Sequence, residues 1–144
     1  MVVSIRLTST QINYIKNAAE TAYPMEACGL ITGYKVSEKL IEAKRIVNAK
    51  NIQAPYTNKR FEVDPGTRIK IEKEIRGTNE RLIAHYHSHP DKPAIPSNTD
   101  LENAHEPELI WIIVSVNAGK AIKLTAHQVL KDKSGFKEID LFIK

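Results

Sequence analysis

Apolar positions along the chain recur at two spacings, and the switches between them divide it into elements. Residues 2–7 read as a short strand. Thr8, with Gln11 three residues on, is a capping-box pattern. The helix it opens puts Ile12, Ile15, Ala19 and Ala22 on one face until Pro24 breaks the pattern. Residues 28–34 and 40–47, rich in β-branched side chains and separated by a polar turn around Ser37, predict two antiparallel strands. Residues 48–59 are polar, aperiodic and interrupted by Pro55, so they predict a loop, with a brief strand at 61–63. Asp64-Pro65 opens a second helix that turns Ile69, Ile71 and Ile75 toward the sheet and ends at Gly77.

Residues 81–84 begin a buried strand. Residues 109–116, which include Trp111, are nearly all apolar, as expected of a central strand covered on both faces. Residues 121–130 and 136–143 alternate on either side of Ser134-Gly135 and predict a closing antiparallel pair. Together these elements predict one mixed α/β domain over residues 1–144, a curved sheet flanked by helices.

Composition narrows the setting. A hydrophobic share of 42% and a charged share of 26% are near globular averages. No apolar run approaches the roughly 18 residues of a membrane helix, so a membrane is not an expected partner. The first residues lack the pattern of a secretory signal, and the single cysteine, Cys28, excludes an internal disulfide; both suit a cytoplasmic protein. The net charge is +4, but the basic residues are interspersed with acids rather than gathered in a block, so nucleic-acid binding is not expected.

The chemistry is concentrated in HYHSHPDKPAIPSNTD, residues 85–100. On a strand, His85, His87 and His89 share a face. Pro90, Pro93 and Pro96 then force a loop, and Ser97 caps a short helix whose first turn carries Asp100 back toward the histidines. Zinc takes neutral imidazole nitrogens and carboxylate oxygens, and catalytic zinc sites have three protein ligands and an open position. His87, His89 and Asp100 supply that set, for one Zn2+ per chain. His105 and His127 lack partners at ligand spacing, and with Trp111 they read as packing or surface residues.

The run His87-Ser88-His89-Pro90, followed by Ser97 and Asp100 at these spacings, resembles the signature of the JAMM, or MPN-plus, zinc metallopeptidases. Glu26-Ala27-Cys28-Gly29-Leu30 is similar to the family's upstream segment. The resemblance extends from about Thr8 to Val116, with weaker echoes at Asn48 and Phe61-Glu62-Val63-Asp64-Pro65. It implies the MPN fold, related to the cytidine-deaminase-like architecture. It also implies an isopeptidase or deubiquitinase-like hydrolase in which Glu26 is the general base, Ser97 an oxyanion donor as well as a cap, and Cys28 a packing residue. The substrate so implied is the C-terminal tail of a ubiquitin-like β-grasp protein, with processing of a sulfur carrier of that fold as the close alternative and a non-catalytic MPN scaffold as the rival class. Where the family usually has glycine and an aromatic residue, this chain has Ala84 and His85. That leaves His85 and His87 as a second possible ligand pair, although only His87 and His89 have the family's spacing to Ser97 and Asp100.

Overall fold

The computed structural model describes residues 2–144. Strand β1 (Ser4–Leu7) leads into helix α1 (Ser9–Ala22). The predicted capping box is formed: Gln11 N–H donates to Thr8 Oγ1 at 3.1 Å and Thr8 N–H donates to Gln11 Oε1 at 2.9 Å. Next come β2 (Cys28–Lys35), β3 (Leu40–Ala49), α2 (Pro65–Ile75), β4 (Arg81–Pro90) and α3 (Asn98–Glu102). Strands β5 (Ile110–Asn117), β6 (Lys120–Val129) and β7 (Phe136–Ile143) complete the domain.

The mixed α/β class is as the sequence predicts, but the sheet is not an open one. Its seven strands close into a barrel in the order β1-β3-β2-β4-β5-β6-β7. Closure rests on β1, which pairs in parallel with both β3 and β7. The interior is one apolar cluster containing Ile5, Ile31, Ile41, Tyr86, Ile112, Ala126 and Ile139, with Ile12, Ile15 and Ala19 of α1 packed among them. Burying each such isoleucine is worth about 1.5–3 kcal/mol, enough for the α1 stripe to fix the helix against the strands.

On the outer face Ile71 and Ile75 of α2 pack against Leu30. Ile69 does not join them and is 54% exposed. Residues two apart in a helix are separated by about 200° around its axis, so Ile69 and Ile71 cannot share a face, whereas Ile71 and Ile75, four apart, lie about one turn from each other. The brief strand expected at 61–63 reduces to a single bridge between Val63 and Asn51. Strand β3 in turn runs through Asn48 and Ala49, past the predicted start of the loop.

Register places the chemistry on the outside. In β4, Tyr86 points inward, while His85, His87 and His89 line the opposite face; Cys28 lies across from His87, and Trp111 of β5 across from His85. Gly29 makes room for this arrangement. A Cβ there would lie 2.2 Å from a Tyr86 ring carbon and 2.5 Å from the Val47 carbonyl oxygen. Without that Cβ the Tyr86 ring crosses β2, and its hydroxyl donates to Asn48 Oδ1 at 3.0 Å.

Candidate metal centre and active site

His87 and His89 leave the end of β4 on one face because the pleat alternates, and α3 returns Asp100 to them. The helix starts at a second capping box. Asp100 N–H donates to Ser97 Oγ at 3.0 Å, and Ser97 N–H donates to Asp100 Oδ2 at 2.8 Å, so Ser97 fixes the carboxylate as well as the turn. The three side chains are buried, and one ligand atom from each lies within 4.8 Å of the others, the only such group among the described residues. The two Nε2 atoms are 3.0 Å apart; Asp100 Oδ1 lies 3.3 Å from His87 Nε2 and Oδ2 lies 3.2 Å from His89 Nε2.

His89 Nδ1 is 2.9 Å from the Pro93 carbonyl oxygen, which only accepts, so Nδ1 carries the proton and a neutral ring presents a bare Nε2 to the cluster. Lone pairs of imidazole and carboxylate facing one another at such distances repel unless a cation lies among them. The donor set therefore fits a metal ion. Burial tends to raise the Asp100 carboxyl, but the two imidazoles hold it far below the usual carboxylate range. Burial keeps His87 below its ordinary value. For His89 burial is outweighed by Asp100 and the Pro93 carbonyl, and the ring is raised.

Glu26 precedes β2 and is 3% exposed. Ala27 N–H donates to Ser88 Oγ at 2.8 Å, and Ser88 N–H donates to the Ala27 carbonyl at 3.0 Å, so the β2–β4 register continues and sets Glu26 across from His89. Burial, with the Asp100 charge adding and His89 and Lys92 opposing, pushes the Glu26 carboxyl up to about 7. A carboxyl so poised both takes and returns a proton near neutral pH.

The structure thus brings together His87, His89, Asp100, Ser97 and Glu26. It leaves His85 outside the cluster, half-buried, with its ring 4.2 Å from that of Trp111 and its imidazole pushed by burial down to about 3. His127 is buried and bonded to Thr125 Oγ1 at 2.8 Å, Trp111 is core, and Cys28 is buried with its thiol pushed up to about 12, chiefly by burial. Two residues at the site went unrecognised in the sequence. Ser88 lies inside the histidine motif without being read as a support, and Asn51, whose Nδ2 donates to the Glu26 carbonyl at 2.9 Å, lies in a polar, aperiodic stretch that carries no signal.

A closed, mixed α/β barrel with a His-His-Asp group beside a buried glutamate defines a metal-site protein of hydrolase type. Residues 11–127 match the prokaryotic homologs of the JAB domain, and the chain belongs to that family. It is 26% identical over 133 residues to a desampylase of Haloferax volcanii, covering 92% of this chain and 88% of the relative. It is also 26% identical over 119 residues to a CysO-cysteine peptidase of Mycobacterium tuberculosis, covering 83% of this chain and 78% of that one. The solution structure of a protein from Desulfitobacterium hafniense superposes with a TM-score of 0.82 at 28% identity, covering 97% of this chain and 92% of the other.

Proposed function

We propose that this chain is a single-domain zinc peptidase over residues 1–144 that hydrolyses the bond after the C-terminal tail of a ubiquitin-like or sulfur-carrier β-grasp protein. The observation that carries this reading is the convergence of ligand atoms of His87, His89 and Asp100 beside Glu26, a buried carboxyl raised to about 7. Zinc is favoured by the ligand types, since two imidazoles and a carboxylate are donors that catalytic zinc sites use. A zinc ion held there supplies Lewis acidity and acidifies water toward a pKa of about 7. Glu26 takes the proton from the attacking water and delivers it to the departing amine. The Ser97 hydroxyl accepts from Asp100 N–H, so its own proton is free to donate to the oxygen of the carbonyl under attack.

Membership of the family and the names of its relatives, a desampylase and a CysO-cysteine peptidase, support peptidase chemistry. A place for an extended tail supports it too. Strand β1 pairs with β3 only from Leu40 to Glu42, and the Gln11 side chain donates to the Ala43 and Lys44 carbonyls. From Arg45 to Ala49 that edge of β3 has no strand partner among the described residues. It leads along a groove of about 670 Å³, lined by Tyr14, Ala18, Asn48 and Ala49, to Glu26. An added strand there gains main-chain hydrogen bonds and delivers its last residues to the metal site. The cytoplasmic location and the kinship with the deaminase architecture belong to the same proposal. They rest on a single buried cysteine and on the family resemblance.

The test is metal content joined to cleavage. Wild-type protein reconstituted and buffer-exchanged is expected to retain about one zinc per chain and to cleave a ubiquitin-like fusion. His87→Ala, His89→Ala and Asp100→Ala are expected to lose the metal, and His85→Ala to keep it. Retention below about half an equivalent in the wild type, or loss only in His85→Ala, overturns the ligand set.

A further inference from the structure

Residues 50–64 join β3 to α2 through a loop whose neck is stitched shut. Ile52 N–H donates to the Glu62 carbonyl at 3.0 Å and Asp64 N–H to the Lys50 carbonyl at 3.1 Å. Asn51 Oδ1 accepts from the N–H groups of Gln53 and Glu62, both at 3.0 Å. The tip projects, with Tyr56 83% exposed. Two side chains of the neck reach the site. Asn51 uses its remaining donor, Nδ2, on the Glu26 carbonyl at 2.9 Å. Phe61 lies flat on the His87 ring, centroids 4.3 Å apart and planes 17° from parallel, while Trp111 meets the same ring edge-on at 5.6 Å and 87°.

The two histidines are therefore held differently. His89 is oriented through Nδ1 by the Pro93 carbonyl, the usual arrangement, in which the non-ligating nitrogen of a metal-binding histidine is hydrogen-bonded. His87 Nδ1 is buried and has no hydrogen-bond partner among the described residues. What sets the plane of that ring is aromatic contact, and the stacked face comes from the loop. We propose that the neck of the 50–64 loop is a two-point clamp in which Phe61 fixes the plane of the His87 ring and Asn51 fixes the backbone that carries Glu26. Both are positioning residues. One ordered loop thus aligns a metal ligand on β4 with a proton acceptor at the start of β2. The inference rests on the reading of His87 as ligand and Glu26 as base.

The two points separate experimentally because each acts through a different residue. Phe61→Leu keeps the apolar fill and loses the flat face. It is expected to weaken Zn2+ binding about tenfold in competition with a chromophoric chelator and to alter the visible absorption of the Co2+-substituted protein, with Phe61→Tyr restoring both. Phe61→Met serves if the leucine variant does not fold, with the same expectation. Asn51→Asp keeps the acceptor used by Gln53 and Glu62 but loses the donor to Glu26. Its Zn2+ affinity and Co2+ spectrum are expected to stay within about twofold of wild type, while kcat on a ubiquitin-like Gly-Gly fusion falls about tenfold or more at unchanged KM. Wild-type affinity and spectrum in the folded Phe61 variant, wild-type kcat in Asn51→Asp, or metal loss in Asn51→Asp overturns the clamp. If wild type and His87→Ala hold Zn2+ equally, the ligand assignment itself has failed, a result distinguishable from failure of the clamp.

Discussion

Glu26 carries the heaviest demand at the scale of single residues, because in the proposed mechanism a buried carboxyl, 3% exposed, must still exchange a proton. Glu26→Gln preserves its shape and removes its basicity. Zinc content and fold are expected to be unchanged and turnover to fall by at least about 10², measured as kcat on a ubiquitin-like fusion; activity within threefold of wild type rejects the base assignment. The raised carboxyl also has a thermodynamic signature. In the metal-free protein the folded state holds this proton more tightly than the unfolded chain, whose carboxyl titrates near 4.5. The stabilisation is full below about pH 4.5 and is lost as pH rises through about 7. Urea unfolding across that window is expected to cost wild type roughly 2–3 kcal/mol relative to Glu26→Gln. Parallel curves for the two proteins would show that burial does not perturb this group.

Elements are where the sequence was most and least legible. The capping box at Thr8 and the cap at Ser97 form as read, because their hydrogen bonds are local and need only the chain within four residues. The face shared by His87 and His89 was legible for the same reason, since strand alternation is a local rule. Helix α2 shows the limit. Three isoleucines suggest one apolar stripe, yet the angular step leaves Ile69 facing solvent while Ile71 packs on Leu30. Ile71→Ala is expected to destabilise the protein by about 2–4 kcal/mol and Ile69→Ala by less than about 0.5 kcal/mol, read from chemical denaturation midpoints. Equal losses would place both in the core. The support at Asn51 was beyond reading, and Phe61 showed only as part of a family echo without its contact to His87, because both contacts depend on a loop folding back across strands distant in sequence. Alternation likewise marks strands without saying that the first and last will meet.

For the whole molecule, selectivity follows from where the barrel leaves backbone unpaired. The stretch of β3 that has no strand partner among the described residues approaches the candidate site from the Glu26 side, so the enzyme is expected to read the tail of its substrate more than the group attached after it. Close approach of a tail to a buried centre favours residues without side chains, so replacing the tail's terminal Gly-Gly is expected to lower kcat/KM far more than exchanging the leaving group. Competition between matched fusions measures this. A larger response to the leaving group would direct attention away from the β3 edge.

The parallel seam that closes the barrel, with Ser4 opposite Asp140 and Leu7 opposite Ile143, sets an order of events during synthesis. Glu26, both histidines and Asp100 have all been translated before β7 begins at Phe136, whereas the edge of β1 that faces away from β3 waits for that strand to arrive. Joining segments so far apart in the chain carries a loop-closure cost that local pairing does not, and folds dominated by such contacts form slowly. A nascent chain therefore holds all four residues of the proposed centre while its barrel is still open along one side. A metal ion captured by β4 and α3 at that stage would tie the middle of the chain together before its ends have met.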